Sequence, residues 1–256
     1  MFDSGDIIAM TLRYLLSSAV SKDLHPQFGA TSSQFSKYVL LGMRAIVTCL
    51  SDNQISRVYW DLSPAALKKA VDRTKQFLDI PGIVAMVDGN KLRSYRSAEA
   101  ELQNRDYNGW THDTNRNILL VWDPWGKIVD ACINYPGTFH DSKMARWGGF
   151  YDHVVKFPDG YRCCCDSAFT TSGFLEDKLV KTKEEYREGE VRSTYDMSLT
   201  HLRQCSEWGN NLLTGTFCHL KLQLPTDNDT RALLLWSCIL LNNFRTETVN
   251  RNQIRT

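Results

Sequence analysis

The chain has 256 residues, a formal net charge of +1, and 43% hydrophobic against 23% charged residues. That composition is ordinary for a folded soluble chain, and the length suits one large domain or a core with an appendage. A charge this close to zero excludes a strong global field toward nucleic acid or acidic membranes, so an anionic partner must meet a local basic face.

Asp3 and Asp6 stand ahead of the first apolar residues, where a secretory signal carries basic ones, so no export signal is expected. Ile8, Leu12, Leu15, Leu16 and Ala19 recur at helical spacing, with Ser4 as the expected cap. A short helix, a turn at Gly29 and a polar helix start at Thr31 to Ser33 have the rhythm of a helix-turn-helix. Phe35, Val39, Met43, Ile46, Val47 and Leu50 then share one face. Ser63-Pro64 starts another helix, running toward Leu78. Residues 1–80 therefore read as a small all-helical region. It either packs on the core or reads DNA; Lys37 and Arg44 are its nearest basic residues.

The pattern changes at Pro81-Gly82. Ile83 to Val87 is an apolar run that reads as a buried strand ending at Asp88-Gly89. Gly109 to Trp122 and Ile128 to Asn134 form an expected hairpin around the turn Asp123-Pro124-Trp125-Gly126. A helix is expected from Ser142 to Val154, then a strand through YRCCCD. Lys178 to Arg192 is densely charged, an expected surface loop or exposed helix. Leu199, Leu202, Cys205, Leu212 and Leu213 mark a helix that carries Glu207. The most apolar run, Ala232 to Leu241, falls short of the roughly 20 residues of a membrane span and reads as a buried core helix. Residues 81–256 thus predict an α/β domain, a mixed sheet with helices on its faces.

The eight cysteines show no C-x-x-C pair, and reduced thiols in an intracellular compartment are expected. Cys163, Cys164 and Cys165 are adjacent, which invites a thiolate metal site. Successive strand residues point to opposite faces, however, so Cys164 faces away from its neighbours. No second cysteine or histidine pair lies nearby to complete a tetrahedral site. The cysteines read better as small buried hydrophobes that lead to Asp166.

Asp88 and Asp166 each close an expected strand, where open α/β sheets place their sites, and Glu207 sits on a helix able to lean over the same edge. Converging carboxylates suit a hard cation, Mg2+ or Mn2+. A pair of such ions activates water or a 3′-hydroxyl for attack on a phosphodiester. Taken singly, each acid has a plainer role: Asp88 in a turn, Asp166 as a helix cap, Glu207 in solvent.

Four stretches carry a resemblance: VDG at Val87 to Gly89, PGTFHDS at Pro136 to Ser142, CDSAF at Cys165 to Phe169, and LRQCSEWG at Leu202 to Gly209. In this order they resemble the DDE endonuclease domain of PIF/Harbinger-type transposases, and the variant here is similar to oomycete and fungal copies. The resemblance implies an RNase H-like fold, divalent-metal catalysis, DNA cleavage and strand transfer. It implies Asp88, Asp166 and Glu207 as the acidic triad. Asp141 is either a fourth ligand or the cap of the following helix. Lys143, Arg146 and Arg203 become candidate phosphate contacts, and Trp110 a candidate base-stacking residue; a solvated helix face, an ion pair between Arg203 and Glu207, and an aromatic packed on the sheet are the competing roles. The resemblance also implies DNA and a Myb/SANT-like protein as partners, homo-oligomer formation, no membrane, and the nucleus. The family's basic residue after the glutamate is missing; Asn210, Asn211 and Thr214 stand in that span. A domesticated, catalytically silent DNA- or protein-binding descendant is the alternative, and an unrelated phosphoester hydrolase the third reading.

Overall fold

The structure, a computed structural model, describes residues 2–76, 80–109, 111–181 and 193–249. Four helices come first: α1 (Ser4–Leu16), α2 (Ser21–Leu24), α3 (Ser32–Leu50) and α4 (Pro64–Lys75). Asp3, not Ser4, caps α1. Its carboxylate accepts from the Asp6 N–H, and Asp6 accepts from the Asp3 N–H, closing a capping box. The expected apolar stripe of α1 is shifted: Met10, Thr11 and Leu15 are buried, whereas Ile8 and Leu16 are exposed. The cause is a close crossing with α3 at Gly42, where a Cβ would stand 1.9 Å from Thr11 Oγ1. Gly29 takes the left-handed conformation (φ 62°) that lets the chain turn into α3, which Thr31 caps. Ser63 caps α4 as expected, with Pro64 at its first position. The expected end near Leu78 lies outside the described residues.

Among the described residues six strands form one sheet: β1 (Ile83–Arg93), β2 (Tyr107–Asn108), β3 (Asp113–Trp122), β4 (Ile128–Pro136), β5 (Arg162–Cys165) and β6 (Leu179–Lys181). Strand β3 is antiparallel to β1, to β4 and to the short β2, while β1, β5 and β6 run parallel. This is the RNase H-like mixed sheet that was expected: a meander whose first strand pairs, beyond a helical crossover, with a parallel strand. Strand β1 does not end at Asp88. It continues to Arg93 because β3 pairs with it from Met86 to Arg93, so Asp88 lies in mid-strand. Strand β6 takes up the start of the charged stretch that was expected to be loop or exposed helix; residues 182–192 lie outside the described residues. A short helix, α5 (Ala100–Asp106), precedes β2.

The expected helix from Ser142 to Val154 is two helices, α6 (Asp141–Trp147) and α7 (Phe150–Val154). Gly148 and Gly149 break it, and Gly149 sits at φ 80°, a conformation a helix interior does not contain. Two long helices close the described chain, α8 (Thr194–Thr216) and α9 (Asn228–Val249).

Each sheet face has its own core. Met86, Leu120, Trp122 and Cys164 pack with α1, α3, α8 and α9. Val87, Val121, Cys163 and Cys165 pack with α4, α6 and α7. The three cysteines therefore divide between the two faces as the strand period requires. All three are buried, and burial pushes their thiols up, that of Cys164 to about 12. They fill the sheet and offer no thiolate. All eight cysteines are free.

Candidate metal centre

Residue parity along β1 builds the site. Asp88 follows Met86 onto the α8 and α9 face, and Gly89 follows Val87 onto the α6 face. With no side chain, Gly89 leaves a gap beside Asp88, and Asp141 enters it from the first residue of α6. A Cβ on Gly89 would stand 2.3 Å from Asp141 Oδ1 and 2.8 Å from its Oδ2. Strand β5 runs parallel next to β1 and delivers Asp166 one residue past its end. Asp88, Asp141 and Asp166 each offer an oxygen within 4.8 Å of the others.

The electrostatics agree with that geometry. Burial, then the negative charges of Asp141, Asp166 and Glu207, push Asp88 up to about 7. Burial and Asp166 push Asp141 up to about 6, against the pull of Lys91 and His140. Oxygen-only donors this close and half-buried fit a hard divalent cation rather than a softer ion.

Asp141 does not cap its helix through its side chain: the N-cap is His140, and no side-chain cap bond forms. Asp166 has a turn role beside its place in the cluster, since the Ala168 N–H donates to its Oδ1 at 2.9 Å. Glu207 stands outside the 4.8 Å group. Arg203, one turn earlier on α8, holds its carboxylate at 2.5 Å. Both ends of that pair still act on the charge of Asp88. Lys143 and Arg146 are exposed on α6, and the Lys143 ammonium sits 3.9 Å from the Phe139 ring centroid. Trp110 lies outside the described residues.

The contact that sequence reasoning missed is Asn210. Its Nδ2 donates to Asp88 Oδ2 at 3.0 Å, and its Oδ1 accepts from the buried Trp122 Nε1 at 3.3 Å. The available signal was spacing: Asn210 lies three residues after Glu207, on the same helix face. Lys181 was missed as well. It closes β6, and its Nζ donates to the Ser167 carbonyl, beside Asp166. No described helix is long and apolar enough to cross a membrane.

Curated proteins offer no sequence match. Two solved structures show a distant likeness. The Mos1 transposase paired-end complex with left transposon end is 9% identical, covering 81% of this chain and 77% of that chain at a TM-score of 0.22. A pre-cleavage Mos1 transpososome is 10% identical, covering 94% of this chain and 79% of that chain, also at 0.22. The family model described as DDE superfamily endonuclease matches residues 87–243, which takes in Asp88, Asp141, Asp166 and Glu207. With more than half of the sequence matched, the chain belongs to the DDE superfamily endonuclease family.

Proposed function

We propose that the chain is a divalent-metal-dependent DNA nuclease of the transposase type, resembling the PIF/Harbinger group. The observation that carries this reading is the convergence of Asp88, Asp141 and Asp166 inside the matched domain. Asp88 and Asp166 would hold Mg2+ or Mn2+, with Asp141 beside them. The bound metal supplies Lewis-acid stabilisation and a more acidic attacking hydroxyl, from water in cleavage and from a 3′-hydroxyl in joining.

The chain's own residues set the conditions. Burial and mutual repulsion push the carboxyls of Asp88 and Asp141 up, so cation binding would displace protons from these two. The Arg203–Glu207 pair holds Glu207 back. A scissile phosphate offers Arg203 an alternative bidentate partner, which frees Glu207 to turn toward Asp88. DNA is thus both substrate and trigger for the last carboxylate. Lys143 and Arg146, exposed on α6, would meet backbone phosphates. Action on chromosomal DNA would place the chain in the nucleus, with a Myb/SANT-like partner and self-association supplying recognition of the DNA ends. The N-terminal helices share a core with α9, so residues 1–80 would act as a buttress of the domain at 81–256.

One observation favours a second reading, a silent descendant that binds without cutting: Glu207 is tied to Arg203 and away from the other acids. Incubation with supercoiled plasmid and Mg2+ or Mn2+, beside Asp88→Asn and Asp166→Asn, separates them. Metal-dependent nicking by the wild type, lost in both variants, is expected. Nicking that survives both substitutions refutes the metal centre, and metal binding without nicking establishes the silent reading.

A further inference from the structure

We propose that Asn210, locked by Trp122, positions Asp88 for the cation; the inference rests on the acidic cluster being a metal site. An asparagine amide has one accepting end and one donating end, and an indole N–H only donates. The end of Asn210 that meets Trp122 Nε1 is therefore its oxygen, which turns its NH2 toward Asp88 Oδ2. Trp122 thus sets the orientation of an amide whose other end holds the carboxylate.

Each part of this relay is rigid. Trp122 is fully buried and pairs with Met86 across β1 and β3, two residues before Asp88. Asn210 is 5% exposed and sits within the long helix α8. Gly209 lets that helix lie directly on the indole, where a Cβ would come within 2.6 Å of the ring. A carboxylate fixed at one oxygen cannot turn freely, so it presents its remaining lone pairs in one direction, beside Asp141 and Asp166. Outer partners of this kind typically tune metal affinity by about 10–100-fold. The neutral amide also holds Asp88 without neutralising it, as a lysine at this turn would.

The test titrates Mn2+ into the full chain and follows the electron paramagnetic resonance signal of the free aquo ion. Wild type, Asn210→Leu, Asn210→Ala, Trp122→Phe and the Trp122→Phe/Asn210→Leu double variant are compared, with thermal unfolding in parallel. Leucine keeps the branched outline of asparagine and removes both hydrogen bonds, and alanine removes them without adding bulk. Expected are an increase of about tenfold or more in the Mn2+ dissociation constant for Asn210→Leu and a smaller increase for Trp122→Phe. The double variant should bind no more weakly than Asn210→Leu, because Trp122 acts through Asn210. A merely structural role would lower the unfolding temperature and leave the Mn2+ constant unchanged, and that result overturns the proposal. Should Trp122→Phe fail to fold, the two Asn210 variants decide alone. A wild type that binds no Mn2+ refutes the metal site itself, which is a different outcome from intact binding in every variant.

Discussion

Asp88→Asn should make the metal-free protein more stable at pH 8, although it removes a central residue of the site. The Asp88 carboxyl moves from 3.8 to about 7 on folding, chiefly through burial and then through its acidic neighbours. Between those pH values the folded chain binds more protons than the unfolded chain, so stability falls as pH rises through that window. At about 1.4 kcal/mol per pH unit, the displacement costs the metal-free fold on the order of 4 kcal/mol above pH 7. Asparagine has nearly the same shape, carries no charge, and can still accept the Asn210 amide through its own oxygen. Its amide is also desolvated, so about half of the cost, roughly 2 kcal/mol, should be recovered. In a chain of this size that is roughly 4–8 °C in the unfolding midpoint. The assay is thermal unfolding of wild type and Asp88→Asn at pH 4 and pH 8, with chelator and then with excess Mn2+. The variant should gain at pH 8 with chelator and gain little at pH 4. Added Mn2+ should raise the midpoint of the wild type and leave that of the variant in place. A variant less stable than wild type at pH 8 in chelator would refute the claim that repulsion and burial strain this centre, as would an equal Mn2+ response in both proteins.

Gly89→Ala should fold, because its backbone is ordinary strand, yet weaken Mn2+ binding by displacing Asp141; an unchanged binding isotherm would contradict the gap that Gly89 provides. Arg203→Ala should change stability by less than about 1 kcal/mol, since the Arg203–Glu207 pair is partly solvated, while nicking of plasmid DNA falls; denaturant titration and the plasmid assay read the two effects separately. Gly209→Ala should cost roughly 1–3 kcal/mol by overpacking against Trp122, measured by urea unfolding, and a neutral result would place α8 farther from the indole. Ellman's reagent should label exposed Cys49 in the native protein and reach Cys163, Cys164 and Cys165 only after denaturation; rapid native labelling of the three would restore them as a reactive cluster.

Local patterns were legible in the sequence because their causes are local. Ser63-Pro64 caps and starts α4, the Asp123–Gly126 turn joins β3 to β4, and the alternation of Cys163 to Cys165 between two faces follows from strand period alone. Asp88 and Asp166 were legible as candidates for the same reason, one on an apolar strand and one just past another. The register was not. Strand β1 runs on past Asp88 because β3, some 30 residues later, pairs with its whole second half, and no signal inside VDGNKLR carries that pairing. The split of the expected helix at Gly148-Gly149 follows from local glycine chemistry, yet the apolar spacing across it masks the break.

The roles of the acids divide along the same line. Their presence, order and oxygen-donor character are properties of residue type, and the sequence by itself determined them. Which of them meet is a property of packing. Asp141 reaches Asp88 because a missing Cβ at Gly89 faces α6, Glu207 is held off by Arg203 one turn away, and Asn210 is recruited because Trp122 lies under α8. Each of these depends on distances between segments far apart in the chain, and only the tertiary structure decides them.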